Sequence, residues 1–412
     1  MQKSLKKSDN LLFFLLMLGC MNIFGNGSWV FLILSICCIA GTNHVPKNDV
    51  GLAAAALLCA SVFFSSLIYY SISESVKAVN FLLIYLLGYS GYLKTENKKD
   101  FIKKAAFAVF AGSLAFIILE YIYNAKTVFS SARMLNSVWT GQPVSVTLVA
   151  LVSTVVIGFS LCSLFFISNR WIKCLSAVSM VLAIIINFRT ATRTPFVLLA
   201  ILLVLGFLLN SQNNTRKKIR TFIILFSAFL LAYILLKTDF LGIRDFVFSS
   251  ELAKRLFFGE ANSYSRFRLF EIHAKHMFDH PWGGGLIHRE VGSFGHNWIQ
   301  DGHDVYGIFA TAAALVLTVN TLANLARIWV KQEKSEEEYL LFFVLATMIT
   351  SMMVEPVFSA FPIYIWSMLF LLGISNAHIH QGRKAEDTSA KYIRPDGLGE
   401  EVSYDGASKN RI

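Results

Sequence analysis

Long apolar runs alternate with short polar connections along the chain, from near its start to about residue 375. Sliding-window hydropathy places the runs at about 11–24, 28–41, 50–70, 76–93, 105–123, 142–167, 171–187, 194–209, 221–237, 305–326, 339–354 and 358–375. Most have roughly the 17–25 residues that an α-helix needs to cross the hydrocarbon core of a bilayer. The pattern predicts an all-α polytopic membrane protein of about twelve transmembrane helices, and nothing in it resembles a transmembrane barrel. One long polar segment, 238–304, breaks the alternation between the ninth and tenth runs. The expected organisation is nine helices over 1–237, a large loop over 238–304, three helices over 305–375 and a disordered tail over 376–412.

Composition agrees with this class. The 412 residues are 55% hydrophobic and only 15% charged, whereas soluble domains carry about a quarter charged residues. The net charge of +11 could suit nucleic acid, but the basic residues are scattered over short connections and form no face, so no nucleic-acid partner is expected. Their distribution gives orientation instead, because Lys and Arg accumulate in cytoplasmic loops. With the N-terminus inside, eighteen fall in inward segments, among them Lys3, Lys47, Lys103, Arg170, Arg216, Arg327 and Lys331, and five fall in short outward ones: Lys77, Lys126, Arg133, Arg189 and Arg193. That asymmetry puts 238–304 outside the membrane, in the periplasm or at the cell surface, and both termini in the cytoplasm. Lys3, Lys6 and Lys7 precede the first run without a small-residue cleavage site after it, which reads as a retained first helix. The six cysteines lie in or beside apolar runs without metal spacing, so neither disulfides nor a structural zinc is expected. The early part of the chain has no counterpart to the polar segment, which counts against the repeated halves of a secondary transporter.

The polar segment holds the candidate chemistry. From Gly259 to Gly307 it carries six of the nine histidines, His273, His276, His280, His288, His296 and His303, together with Arg266, Arg268 and the run Gly283-Gly284-Gly285. Tyr264 to Met277 has helical composition, which Pro281 ends, and the glycines permit a tight turn or a close backbone approach to a ligand. His273, His276 and His280 stack at spacings of three and four, which would suit either a metal or a solvated polar helix. Trp282 and Trp298 are equally suited to stacking on sugar rings and to anchoring at a membrane interface. Glu120 and Glu355, acids near outward helix ends, are candidates by default because charge in the membrane is costly. Arg189 and Arg193 sit outside against the charge bias, either as functional groups or as residues snorkelling into head groups.

Several of these residues together carry a resemblance. Arg266 is followed by His280-Pro281-Trp282-Gly283-Gly284-Gly285, then by His296-Asn297, then by Gly307 at the start of a transmembrane run, and Thr190-Ala191-Thr192-Arg193 precedes an earlier one. This resembles the O-antigen ligase and O-antigen polymerase superfamily, over about residues 180–375. The chain departs from that pattern at Phe270, where the family usually has Trp or Tyr, and at Pro195. The resemblance implies a metal-independent inverting glycosyltransferase of the bacterial inner membrane, without cofactor. It would move a glycan from undecaprenyl diphosphate to a sugar hydroxyl of a lipid A core or of another glycan, at the periplasmic face and in contact with membrane lipids. It implies His296, Arg266 and Arg193 as catalytic residues, and Arg189, Arg268, Asn297, Gly283, Gly285 and Trp298 as substrate contacts, with no metal ligand. The residue types suit that chemistry. Arginine binds phosphate oxygens bidentately and stays charged, and a histidine titrating near neutrality suits a general base. Arg268 could instead pair with Glu271. Ligase and polymerase remain open alternatives, and a flippase for the same lipid-linked sugars is a third.

Overall fold

The computed structural model describes residues 2–39, 48–126, 134–210, 266–359 and 361–393, with isolated positions between 219 and 252. It shows a membrane-type helical bundle. The helices are α1 (Gln2–Cys20), α2 (Gly27–Ile39), α3 (Val50–Tyr69), α4 (Ile72–Lys94), α5 (Lys98–Tyr123), α6 (Val146–Phe166), α7 (Arg170–Arg189) and α8 (Thr194–Asn210), then α9 (Arg266–His276), α10 (Leu286–Val291), α11 (Trp298–Tyr306), α12 (Ile308–Val330), α13 (Glu336–Met352) and α14 (Pro362–Ile393). Among the described residues seven helices are long and apolar enough to cross a membrane, namely α3 to α7, α12 and α14. Shorter apolar helical stretches at Asn10–Cys20 of α1, Gly27–Ile36 of α2 and Thr194–Asn210 (α8) coincide with three further hydropathy runs, and α13 overlaps the run 339–354. The ninth run, 221–237, and the segment 239–265 lie almost wholly outside the described residues.

Helix starts follow local chemistry. Asp49, Ser71, Asn97, Asn169 and Ser335 each cap a helix by accepting a backbone N–H in its first turn. The α6 window is 89% buried, and that of α7 only 28%. α6 is therefore a central pillar and α7 a peripheral helix with an apolar outer face.

Small residues let helices approach closely. A Cβ built on Gly88 of α4 would lie 2.1 Å from the Phe370 carbonyl oxygen of α14, and one on Gly373 would lie 2.4 Å from the Tyr85 carbonyl oxygen. These two helices thus pack backbone against backbone, the contact that small residues favour between membrane helices.

Polar contacts sort the helix ends into two groups. At one end Lys103 Nζ pairs with Glu336 and Glu337 at 2.9 and 3.0 Å, and the Ser168 N–H donates to Glu336. At the other end the Ser61 and Ser65 hydroxyls donate to the Tyr306 and Val305 carbonyls. We call these the lysine end and the histidine end.

Two features depart from expectation. α14 continues to Ile393, so the segment expected to be disordered from residue 376 begins as helix. The reason is that its polar residues find buried partners: Asn376 Nδ2 donates to the Tyr85 hydroxyl at 2.5 Å, and His378 contacts Glu338 at 2.9 Å and Tyr92 at 2.8 Å. The second is a two-stranded antiparallel ribbon, β1 (Met134–Asn136) with β2 (Pro143–Ser145), at the histidine end. Glu120 and Asn124 brace it. The Val138 N–H reaches the Glu120 carboxylate, and Asn124 exchanges two hydrogen bonds of 2.8 Å with the Asn136 backbone.

Replacing Gly88 by Val forces α4 and α14 apart. The expected result is loss of the monodisperse peak in detergent size-exclusion chromatography, or a drop of several degrees in melting temperature, whereas Val at Gly382, where a Cβ has open space, leaves both unchanged.

Candidate functional site

At the histidine end α11 is a short helix whose polar side chains face inward. Gln300, Asp301, His303 and Asp304 are all buried, which costs free energy unless each is hydrogen-bonded. Each bonds a different segment. Gln300 Nε2 donates to the Phe270 carbonyl of α9 at 2.8 Å. Asp301 accepts from the Phe358 N–H at 2.6 Å, the Ser359 N–H at 3.1 Å and the Ser359 hydroxyl at 2.7 Å. His303 Nε2 lies 3.2 Å from the His280 carbonyl, and its Nδ1 3.0 Å from the Thr311 hydroxyl of α12. Asp304 Oδ1 accepts the His288 N–H at 3.1 Å.

The aromatic side of α11 fixes it to the bundle. Trp298 is fully buried and stacks on Phe358 with ring centroids 6.0 Å apart, while Gly302 clears space for the same ring. Trp298 is thus an anchor with no face to offer a sugar. Trp282, 63% exposed, is the tryptophan of the pair that remains at the surface.

The glycine run docks on the chain's own backbone. Gly283, Gly284 and Gly285 all have positive φ, a region glycine enters without a steric penalty. The Gly284 and Gly285 N–H groups donate to the Val305 and Asp304 carbonyls, and the Ile308 N–H to that of Pro281. A Cβ on Gly283 would lie 2.5 Å from the Gly307 nitrogen. The close approach anticipated for a ligand is taken, at Gly283, by residues 306 and 307, and Gly285 remains half-buried.

The histidines of α9 and the turn after it do not converge on one point, although His276 and His280 both lie within 4 Å of Glu290. His273 Nε2 meets the Ser293 carbonyl at 2.9 Å, His276 meets Asp279 at 3.2 Å, and His280 meets Glu290 at 2.9 Å. Among the described residues no group of three His, Cys, Asp or Glu side chains could hold a metal ion. Cys20, Cys59, Cys162 and Cys174 are free thiols.

His296 is half-buried, one residue before Asn297, the N-cap of α11. Asn297 pairs with Gln300, accepting its backbone N–H and donating to its side-chain oxygen, both at 2.9 Å. It therefore orients backbone and fixes where His296 leaves the helix. Arg266 is the first residue of α9, and its side chain lies outside the described part of the structure. Arg268 is exposed, and Glu271 pairs with Lys275 at 2.6 Å.

The two arginines beside α7 sit differently. Arg189 donates to the Tyr121 hydroxyl and lies over that ring, 5.6 Å from its centroid. Arg193 is exposed and follows a turn held from several directions. Ala191 is left-handed at φ 51°, the Thr192 hydroxyl donates to Asn187 Oδ1 at 2.7 Å, and Asn187 donates to the Ala183 carbonyl at 2.7 Å. The next residue, Thr194, donates to buried Glu355 at 2.5 Å.

Glu355 and the two residues that grip Asp301 belong to one connection, 354–359, between α13 and α14. The turn that carries Arg193 and the helix behind His296 are therefore moored to the same short loop by two buried carboxylates. Gln300 adds α9, the helix that Arg266 opens. Sequence reasoning singled out Glu355 without a partner and passed over Gln300, Asp301 and Thr194. The available signal was Gln300-Asp301-Gly302-His303-Asp304, a dense polar run directly before a transmembrane segment.

Burial sets the protonation of this helix. Desolvation pushes the Asp301 carboxyl up to about 6, against its hydrogen bonds from Ser359 and Phe358. It also lowers His273 and His303 below the ordinary histidine value. No model of a known protein family matches the chain, and no curated protein is similar to it.

Because the folded-state values of His273 and His303 are depressed, their contribution to stability is present above about pH 6.5 and is lost as pH falls through their folded values. Asp301, raised in the fold, works in the opposite sense over the same window, so the histidine contribution is read by comparison: acidification from pH 7 to pH 5 should raise amide exchange over 280–306, corrected for intrinsic rates, more in the wild type than in His303→Gln. Thr194→Val leaves Glu355 without its hydroxyl donor and should cost about 1–3 kcal/mol, read as a lower melting temperature in detergent that Thr194→Ser largely restores.

Proposed function

We propose that this chain is a bacterial inner-membrane glycosyltransferase. It moves a glycan from undecaprenyl diphosphate to a sugar hydroxyl at the periplasmic face, without metal or cofactor. The observation that supports this most is the shared mooring of Arg193 and His296. A phosphate-binding cation and a titratable base stand on separate elements that buried carboxylates tie to one loop, at the end of the bundle away from the lysines. Reacting groups gain most when their geometry is fixed before substrate arrives.

In this reading the His296 imidazole takes the proton of the acceptor hydroxyl as its oxygen attacks the anomeric carbon. The bond from that carbon to the diphosphate oxygen breaks, the configuration inverts, and undecaprenyl diphosphate leaves with the bonding pair. Arg193 and Arg266 offset the charge that grows on the diphosphate, in the way that guanidiniums stabilise phosphoryl leaving groups. In this reading Arg189, held against Tyr121, and exposed Arg268 reinforce the positive field. The apolar outer face of α7 provides a lipid-facing wall for the polyprenyl tail. Ligation to a lipid A core is the activity we place first, since the sequence carries a single large polar segment between its apolar runs. Polymerisation of repeat units is the alternative.

The expected effect of His296→Ala is a fall of about 10²–10⁴ in transfer rate with donor binding kept. Arg193→Ala should weaken donor binding and rate together. A His296→Ala protein that folds and transfers glycan at the wild-type rate would contradict the assignment of the base.

A further inference from the structure

The lysine end contains a cavity of about 620 Å³ between the end of α12, the start of α13 and the continuation of α14. That is the size of a small-molecule site, and the proposed transfer chemistry at the opposite end does not use it. Three cations line it: Arg327, Lys331 and Arg383. Glu338 is the one acid in the lining, and it is already occupied. It accepts from Lys331 at 2.7 Å and the Ser335 N–H at 2.9 Å, and contacts His378 at 2.9 Å.

Of the five N–H donors of the Arg327 guanidinium, one is directed at Asn324 Oδ1, at 3.3 Å. Arg327 and Arg383 form no ion pair with a carboxylate among the described residues, and both line the same cavity, where like charges repel. The rest of the wall combines polar Tyr92, His378 and Gln381 with apolar side chains. Ile328, Ile379 and Val330 contribute to it, and from Arg327 toward the middle of α12 the exposed side chains Leu322 and Val319 form an apolar flank on a helix long enough to span the membrane. A guanidinium pair above an exposed apolar flank is suited to a ligand with an anionic head and a hydrocarbon body.

We infer that this cavity binds the phosphodiester head group of an anionic phospholipid, with its acyl chains running along the Leu322 and Val319 side of α12. Arg327 and Arg383 share the phosphate, which relieves their repulsion and ties α12 to the far part of α14. Basic pockets between transmembrane helices take such head groups by charge and donor geometry. The inference needs the chain to be membrane-embedded but does not need it to transfer glycans.

The test uses the full chain purified in neutral detergent. Its thermal unfolding is followed while phosphatidylglycerol, phosphatidylcholine with the same acyl chains, or inorganic phosphate is added. Phosphatidylglycerol should raise the melting temperature saturably, and the other two should not. The double variant Arg327→Gln/Arg383→Gln should weaken the apparent lipid affinity by about tenfold or more. Should Arg327→Gln fail to fold, Arg383→Gln alone, at an exposed position, should still weaken it several-fold. Equal stabilisation by phosphatidylcholine, or unchanged titration of the variants, overturns the site. Protection by inorganic phosphate equal to that by the lipid overturns the lipid assignment.

Discussion

The contact between Asp301 and the 358–359 backbone is the interaction on which the histidine end depends. A buried carboxylate is expensive unless its oxygens are filled, and here three donors from two adjacent residues fill them. Removing any part leaves either an orphaned carboxylate or orphaned N–H groups, so helix α11 and that loop are held as a pair. Trp298 stacked on Phe358 supplies the apolar half of the same contact. The loop in turn carries Glu355, which holds Thr194 and with it the turn that presents Arg193.

This arrangement explains why so many polar groups are buried beside a bundle otherwise built from apolar helices. α11 is a hub in which each inward polar residue reaches a different segment. It joins α9 through Gln300, the α13–α14 connection through Asp301, and α12 with the glycine turn through His303 and Asp304. Groups mounted on such a hub are held by several segments at once. The proposed displacement between a lipid-borne donor and a sugar hydroxyl would call for such holding, since misplacement by about 1 Å costs on the order of 10²-fold in rate.

Much of the bundle was legible in the sequence, because transmembrane helices satisfy their own backbone and announce themselves by length and hydropathy. Runs such as 50–70 and 171–187 coincide with α3 and α7 within a few residues. What hydropathy could not give was polar structure that owes its order to tertiary partners. Residues 376–393 read as a tail, yet Asn376 and His378 are drawn into the bundle by Asp49, Tyr85, Tyr92 and Glu338. Within the candidate site the glycine turn was legible as a turn, but its partner was not, since backbone docking onto residues 304–307 leaves no mark on composition. Trp298 looked identical to Trp282 in sequence, and only packing separates the anchor from the surface ring. Asp301 was invisible as a brace because its partners lie more than fifty residues away in the chain.

The central claim is that the group of residues around α11 makes a glycosidic bond from a polyprenyl-diphosphate donor. The most direct measurement gives the purified protein a defined undecaprenyl-diphosphate glycan and a lipid A core acceptor, with and without chelator. The product and the released undecaprenyl diphosphate are followed by mass. The account predicts glycosylated acceptor and free undecaprenyl diphosphate in equal amounts, insensitive to chelator. Donor that binds but remains intact with every glycan acceptor, or transfer that stops when metal is removed, would contradict it.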